Sequence, residues 1–349
     1  YSIASLAKEI FRMKFQEVDI VGDTLEIYKD VRDSYYGGFT LNMCKTNKNK
    51  KLYYYDINSS YPYVMTGMLP YRYAKTINFV DGMEFIKTHL YYVKGRFKDG
   101  CKIPFFGTRV KEGIIYTLEF EGWRWGVELI IAKKYNLFKE LKVGKIHVFE
   151  DKPIFKSFID DIYKKRLETN VPELKLFYKL LMNNLYGKFG QRKFSDVYFV
   201  NKEGLYEFLA SDNLIPEITP IYEDVFQVKF NDPNDMFFIG SMCRVASYIT
   251  AGARANLAEA MYELGQDSIY YCDTDSIITS NKMNPDKIGK ELGKFKLEME
   301  IMYAEFYCPK LYYLEGYELE KEKEVKIYKA KGCIQKQSCI EQIQDSGSA

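Results

Sequence analysis

Residues 270–279 read YYCDTDSIIT, an aromatic run and a β-branched run on either side of a DTD triplet. This order predicts a buried hairpin with Asp273 and Asp275 at its turn, because aromatic and β-branched residues favour strands. Side chains two positions apart project from the same face, so the two carboxylates should lie close together. Buried carboxylates repel each other unless a cation compensates their charge. Oxygen ligands without His favour Mg²⁺ or Mn²⁺ over zinc.

A second aromatic strand also ends in an aspartate, in LYYYDI at residues 52–57. If Asp56 lies on a neighbouring strand, three carboxylates converge and could hold two ions about 4 Å apart, an arrangement used for phosphoryl transfer. The alternative is that DTD is an ordinary hairpin turn, since Asp is a common turn residue. An EF-hand loop is a poor fit, because its Gly and its bidentate Glu are missing at the required offsets.

A helix with a basic stripe is predicted for residues 172–187, PELKLFYKLLMNNLYG, which begin with Pro and end with Gly. At 3.6 residues per turn, the leucines gather on one face. The opposite face carries Lys175, Lys179, Asn183 and Tyr186. Such a face can bind a triphosphate through its lysines and stack on a base through its tyrosine. The alternative is the solvated face of an amphipathic helix.

Composition narrows the chemistry that the chain can use. Its 349 residues are 47% hydrophobic and 28% charged, which is enough for the cores of two or three subdomains. The chain has two His and seven Cys, and no two Cys form a CxxC pair. A His-based triad and a CxxC-type zinc site are therefore poor predictions. The net charge of +2 excludes a uniformly basic surface, so a nucleic-acid site must come from local clustering. No apolar run is long enough to predict a membrane-spanning helix.

Together these segments resemble the polymerase half of a family B DNA polymerase. Five motifs follow in the family's order: DINSSYP at 56–62 for DxxSLYP, KLLMNNLYG at 179–187 for KxxxNSxYG, YCDTDS at 271–276 for YxDTDS, KLY at 310–312 for KxY, and KAKG at 329–332 for KxxG. Ser60 and Asn184 depart from the family's usual Leu and Ser. YYGG at 35–38 resembles the YxGG motif of the protein-primed branch, found in phages, linear plasmids and mitochondrial plasmids.

The resemblance implies an α+β right-hand polymerase fold, with an antiparallel palm sheet, helical fingers and a short or truncated thumb. The implied parts are a linker helix with the YxGG segment (1–40), palm (41–70), a first insertion (71–150), fingers (151–191), a second insertion (192–236), palm (237–305), and partial thumb with tail (306–349). In this branch the first insertion assists a terminal protein, and the second is tied to strand displacement. No proofreading exonuclease is expected in this chain, because too few residues precede Tyr35.

The resemblance also assigns roles to residues. It implies catalysis by Asp56, Asp275 and Asp273, with two Mg²⁺ or Mn²⁺ ions held by Asp56, Asp275 and the carbonyl of Ile57. It implies dNTP binding by Tyr61, Arg166, Lys175, Lys179, Asn183 and Tyr186. It implies binding of primer–template DNA by Tyr35, Gly37, Gly38, Lys310, Tyr312, Lys329 and Lys331. A terminal protein is an implied alternative primer.

Other classes of function are alternatives to an active DNA polymerase. One is an inactive nucleic-acid-binding remnant of a polymerase, which the short thumb favours and the intact aspartates oppose. Another is a two-metal nuclease, in which the helix from Lys179 to Tyr186 has no role. A reverse transcriptase is disfavoured, because its palm motif has adjacent carboxylates and here Thr274 separates them.

Overall fold

The computed structural model describes residues 2–19, 21–43, 46–47, 50–111, 113–191, 197–211, 217–229, 242–332 and 336–345. Its helices are α1 Ile3–Lys14, α2 Leu25–Ser34, α3 Ser60–Met65, α4 Gly126–Lys134, α5 Lys156–Glu168, α6 Pro172–Phe189, α7 Lys202–Ser211, α8 Cys243–Leu264 and α9 Lys336–Asp345. Its strands are β1 Thr40–Asn42, β2 Thr46–Asn47, β3 Leu52–Ile57, β4 Leu69–Asn78, β5 Leu90–Phe97, β6 Gly107–Val110, β7 Gly113–Tyr116, β8 Glu119–Trp125, β9 Phe138–Lys152, β10 Val197–Val200, β11 Glu217–Tyr222, β12 Val225–Lys229, β13 Ile269–Asp273, β14 Ser276–Thr279, β15 Phe295–Cys308, β16 Leu311–Glu318 and β17 Lys323–Ala330.

The largest sheet in the described part of the chain is antiparallel, in the order β1-β13-β14-β3-β15-β16-β17, with β2 also paired to β15. The two aromatic runs predicted as strands are β3 and β13. Both carry a mixture of buried and half-buried side chains, which suits aromatic and β-branched residues. The predicted α+β fold with an antiparallel palm sheet is confirmed.

Helix α8 forms the centre of the core on one face of this sheet. Its 22 residues are rich in Ala, and almost all of them are buried. Small side chains let neighbouring elements approach closely: a Cβ at Gly252 would lie 2.7 Å from the side chain of Val64 in α3. The fingers helices α5 and α6 and the preceding α1 also pack into the core that α8 shares. None of the described helices combines the length and the apolarity that crossing a membrane requires.

A second, four-stranded sheet in the order β4-β9-β5-β8 spans nearly the range predicted as the first insertion. Five phenylalanines pack against one another in its core, with ring centroids mostly 4.9–6.3 Å apart: Phe97, Phe105, Phe106, Phe120 and Phe138. A third sheet, β10-β12-β11, lies within the range predicted as the second insertion. Residues 192–196, 212–216 and 230–236 of that range lie outside the described residues. The roles of both insertions stay predictions.

Gly126 allows α4 to begin where β8 ends. A Cβ at this position would lie 1.9 Å from the carbonyl oxygen of Ile86, which is backbone and cannot rotate away. We expect Gly126→Ala to lower the free energy of unfolding by about 3 kcal/mol, measured by urea denaturation. The control Gly100→Ala adds a Cβ with nothing within 4 Å and should change that free energy by less than about 0.5 kcal/mol. Equal stabilities of the two variants would contradict the close approach at Gly126.

Candidate active site

The turn between β13 and β14 is held by the segment that precedes β1. Thr274 has φ 62°, in the left-handed region, and its N–H donates to the carbonyl of Phe39 at 2.8 Å. A Cβ at Gly38 would lie 2.7 Å from the side chain of Thr274, so this position requires glycine. The YYGG segment at 35–38 therefore packs on the DTD turn, a contact that sequence reasoning did not predict.

Asp56 and Asp275 come together at the end of β3. Asp56 lies opposite Ser276, and the N–H of Ile57 donates to the carbonyl of Asp275 at 2.8 Å. Burial, followed by the charge of Asp275, raises the pKa of Asp56 to about 7. Burial, followed by the charge of Asp273, raises the pKa of Asp275. Two carboxylates that are costly to ionise together form a site where a cation would be strongly favoured.

Asp273 already has a cation beside it. Its Oδ1 accepts hydrogen bonds from the hydroxyls of Thr40 at 3.0 Å and Thr274 at 2.9 Å. The same atom forms an ion pair with the ammonium of Lys310. Across the described ranges, no three Asp, Glu, His or Cys side chains are arranged to hold a metal ion together. Lys310 compensates the charge of Asp273, while that charge still raises the pKa of Asp275, so the supporting role of Asp273 stays a prediction.

Lys179 is the residue of the basic stripe of α6 whose charge reaches the carboxylates of Asp56 and Asp275. The charge of Lys179 lowers the pKa of both Asp56 and Asp275, although burial outweighs it. Lys175 is exposed one helical turn earlier, and Asn183 is half-buried one turn later. Lys179 is itself exposed, so its charge reaches the aspartates from the solvated face of the helix, and its role in binding a triphosphate stays a prediction.

Two aromatic side chains lie beside the carboxylates. The rings of Tyr61 in α3 and Tyr186 in α6 are 5.0 Å apart at 36°. Helix α3 starts directly after β3, and the guanidinium of Arg166 in α5 donates to the hydroxyl of Ser59 at 3.1 Å. Three helices thus converge next to Asp56, and the dNTP-binding roles of Tyr61, Arg166, Lys179 and Tyr186 stay predictions.

The residues predicted to bind the primer cluster on the other side of the turn. Tyr312 in β16 pairs with Lys329 in β17, and the N–H of Lys331 donates to the carbonyl of Lys310 at 3.2 Å. The N–H of Lys310 donates to the hydroxyl of Tyr271 at 2.8 Å. Tyr312 is buried, whereas Lys329 and Lys331 are exposed. The KLY and KAKG motifs are therefore adjacent, and the ion pair of Lys310 joins them to the DTD turn.

A buried ion pair under the YYGG segment was missed by sequence reasoning. The guanidinium of Arg254 donates to Glu128 at 2.9 and 3.0 Å and to the carbonyls of Tyr36 and Gly37 at 2.7 and 3.0 Å. It also lies 3.7 Å from the centre of the Tyr36 ring. Both charged side chains are fully buried. The available signal was one Arg within the stretch TAGARANLA at 250–258, where most neighbours are small or apolar.

A family described as DNA polymerase type B, organellar and viral, matches residues 1–241, well over half of the chain. The chain belongs to this family. This confirms the resemblance to family B polymerases that the five motifs indicate.

Relatives within and near the family occur in fungi and phages. A probable DNA polymerase of Neurospora intermedia is 28% identical over 335 residues, covering 89% of this chain and 33% of the relative. The DNA-directed DNA polymerase of Enterobacteria phage PRD1 is 26% identical over 278 residues, covering 77% of this chain and 47% of the relative. The chain thus spans about a third to a half of the length of these curated relatives.

Solved structures of the Phi29 DNA polymerase, from a Bacillus phage, share the fold. Its orthorhombic crystal form has a TM-score of 0.74 and 22% identity, covering 97% of this chain and 62% of that one. Its complex with primer-template DNA and incoming nucleotide substrates has a TM-score of 0.69 and 22% identity, covering 95% and 59%. The similarity confirms the right-hand polymerase fold.

Type B polymerases use divalent metal ions. The donor set in this chain fits such an ion, because Asp56 and Asp275 are carboxylates, which Mg²⁺ and Mn²⁺ prefer. Their raised pKa values show that positive charge at this position would be favourable. The carbonyl of Ile57 as a further ligand stays a prediction.

Proposed function

We propose that this chain is the polymerase part of a template-directed DNA polymerase. The substrates are primer–template DNA and dNTPs, and a terminal-protein hydroxyl can replace the primer end. The observation that carries the proposal is that Asp56 and Asp275 lie next to each other in the palm sheet. The charge of Lys179 lowers the pKa of both carboxylates, and the ring of Tyr61 lies near that of Tyr186. The insertion at 192–236 would support displacement of the non-template strand, as the resemblance implies.

The reaction joins the primer 3′-oxygen to the α-phosphorus of the dNTP. The bond from that phosphorus to the bridging oxygen breaks, pyrophosphate leaves, and the hydroxyl proton passes to solvent. Two divalent ions, held by Asp56 and Asp275, would lower the pKa of the hydroxyl and neutralise the leaving group. Lys179 pairs with the triphosphate, and Arg166 and Lys175 are weaker candidates for the same task.

The remaining residues position the substrates. Tyr61 lies under the deoxyribose and excludes a 2′-hydroxyl, while Tyr186 packs on the nascent base pair. Asn183 lies on the same stripe. On the primer side, Lys310 and Tyr312 hold the terminal nucleotide, while Lys329 and Lys331 pair with backbone phosphates. Tyr35, Gly37 and Gly38 contact DNA near the turn that they support.

Primer extension tests the proposal. Purified protein is incubated with a 5′-labelled primer annealed to a longer template, all four dNTPs and Mg²⁺, and products are resolved by length. We expect template-dependent extension that requires Mg²⁺ or Mn²⁺ and stops when a chelator is added. DNA binding without extension, under all metal conditions, would favour the inactive remnant instead.

Tyr61 is expected to select deoxyribonucleotides. Replacing it with Val removes the ring that fills the space of a 2′-hydroxyl, so we expect relative ribonucleotide incorporation to rise by about ten- to a hundredfold. The measurement compares kcat/KM for dNTP and rNTP on the same primer–template. The control is Tyr63→Val, which changes an exposed ring on the same helix. An unchanged sugar preference in Tyr61→Val would remove this residue from the role.

A further inference from the structure

The second insertion is joined to the rest of the fold at two points. The chain leaves the fingers at Gly190, the residue directly after α6, and it returns at Cys243, the first residue of α8. Among the described elements, α7 and the strands of the third sheet pack mainly against one another. The orientation of this insertion relative to the palm therefore depends on how its two ends are held.

One guanidinium contacts both ends of the insertion. Nη1 of Arg32, in α2, donates to the carbonyl of Gly190 at 2.6 Å and to the sulfur of Cys243 at 3.5 Å. These acceptors lie 158 and 211 positions after Arg32 in the chain. Because this nitrogen carries two N–H groups, it can donate to both acceptors at once and hold the two ends side by side.

Arg32 is itself fixed to the core. Its side chain is half-buried, and its guanidinium lies 5.2 Å from the centre of the Tyr35 ring and 5.9 Å from that of Tyr28, within the range of a cation–π contact. The helix that carries it is joined to α8 by a hydrogen bond of 2.9 Å between the hydroxyls of Ser34 and Ser247. The two ends of the insertion are thus held from a rigid part of the fold.

The first end of the insertion lies in a tightly packed junction. A Cβ at Gly190 would lie 2.6 Å from the ring of Tyr35 and 2.7 Å from the side chain of Ala246, in the first turn of α8. The end of α6, the YYGG segment and the start of α8 therefore meet at Gly190 without spare space. The two hydrogen bonds of Arg32 connect the strand-like exit and the helical return of the insertion across this junction.

We propose that Arg32 is a positioning residue for strand displacement, which holds together the two ends of the second insertion and so fixes its orientation toward the DNA ahead of the primer. The inference rests on the proposed function, in which this insertion supports displacement of the non-template strand. Arg32 acts through the ends of the insertion and not on the reacting atoms. Its loss should slow synthesis through a duplex and spare nucleotide addition on an open template, because other elements place Asp56 and Asp275.

The test is Arg32→Met, which removes both N–H contacts and keeps an unbranched side chain. Two substrates are compared: a labelled primer on an open single-stranded template, and the same primer facing a downstream strand annealed to that template. We expect synthesis through the annealed strand to slow by about tenfold, the effect of losing a hydrogen bond from a charged donor. Extension on the open template should stay within about twofold, a split that a general loss of stability would not produce.

Further variants and one physical measurement accompany this test. Arg32→Lys keeps the charge but not the forked donor, so we expect an intermediate loss, and it keeps the question testable if Arg32→Met does not fold. The matched control is Arg72→Met, which removes an exposed guanidinium over the ring of Tyr71 and should behave as the unmodified protein. Amide hydrogen exchange at the end of α6 and in the first turn of α8 should become faster in Arg32→Met, because their shared contact is gone.

The outcomes separate this inference from the proposed function. An unchanged ratio between the two substrates in Arg32→Met, or an equal loss on both, would overturn the role of Arg32. Unmodified protein that extends a primer but stops at the annealed strand would also overturn it, while the proposed polymerase function would stand. Unmodified protein that extends no primer would overturn the proposed function and this inference with it.

Discussion

Asp275→Asn should reduce nucleotide addition by about a thousandfold or more while the protein stays folded. The substitution keeps the shape of the side chain and removes the charge that would hold a divalent ion beside Asp56. Burial and the charge of Asp273 raise the pKa of Asp275 in the folded protein, so its ionised form lowers the stability at neutral pH. The neutral amide removes this repulsion, and the free energy of unfolding should be unchanged or slightly higher.

Three measurements check this expectation together. Primer extension reports the loss of activity, urea denaturation reports stability, and a gel-shift titration with primer–template reports DNA binding, which should change by less than about threefold. Asp286→Asn is the control, since it makes the same change at an exposed aspartate. Retained extension in Asp275→Asn would refute the assignment of Asp275 as a metal ligand.

Arg254→Met should destabilise the protein more than any other single change considered above. It removes the cation beside Glu128, and it leaves this buried carboxylate and the carbonyls of Tyr36 and Gly37 without their donor. Removing one partner of a fully buried ion pair lowers the free energy of unfolding by about 3–5 kcal/mol, because the remaining charge is neither solvated nor paired. We expect a loss of this size in the free energy of unfolding.

Two comparisons make the Arg254 result specific. Lys94→Met breaks the exposed ion pair between Lys94 and Glu121, and it should lower the free energy of unfolding far less than Arg254→Met, because water solvates both charges. The double variant Arg254→Met with Glu128→Met removes both charges, so it should recover a large part of the stability lost in Arg254→Met. A double variant that is less stable than Arg254→Met would show that the unpaired charge is not the source of the loss.

The parts predicted from the sequence are those encoded over short distances. Aromatic composition identified β3 and β13, and the spacing of Asp273 and Asp275 placed both carboxylates at one turn. A shared site with Asp56 required Asp56 to lie on a neighbouring strand, and it lies opposite Ser276 in β14. Helical periodicity likewise predicted the basic stripe of α6 that ends at Tyr186.

The parts that sequence reasoning missed depend on contacts between distant segments. Nothing local indicates that Lys310 reaches Asp273, 37 positions earlier, and compensates its charge. Likewise, Arg254 meets the carbonyl of Tyr36 across 218 positions. Such partners are set by the packing of elements that are distant in the sequence, and no periodic pattern records that packing.

The order of strands in the palm also determines when activity can appear as the chain folds. The strand that carries Asp56 has β14 and β15 as its immediate neighbours, and both lie more than two hundred residues later in the chain. Closing so large a loop is entropically costly, and contacts of high sequence separation form slowly. During synthesis the aromatic run at 52–57 therefore stays unpaired and prone to aggregation until residues near 300 have left the ribosome. Catalytic competence should thus arise late and all at once, and a chaperone that shields this run would raise the yield of active enzyme.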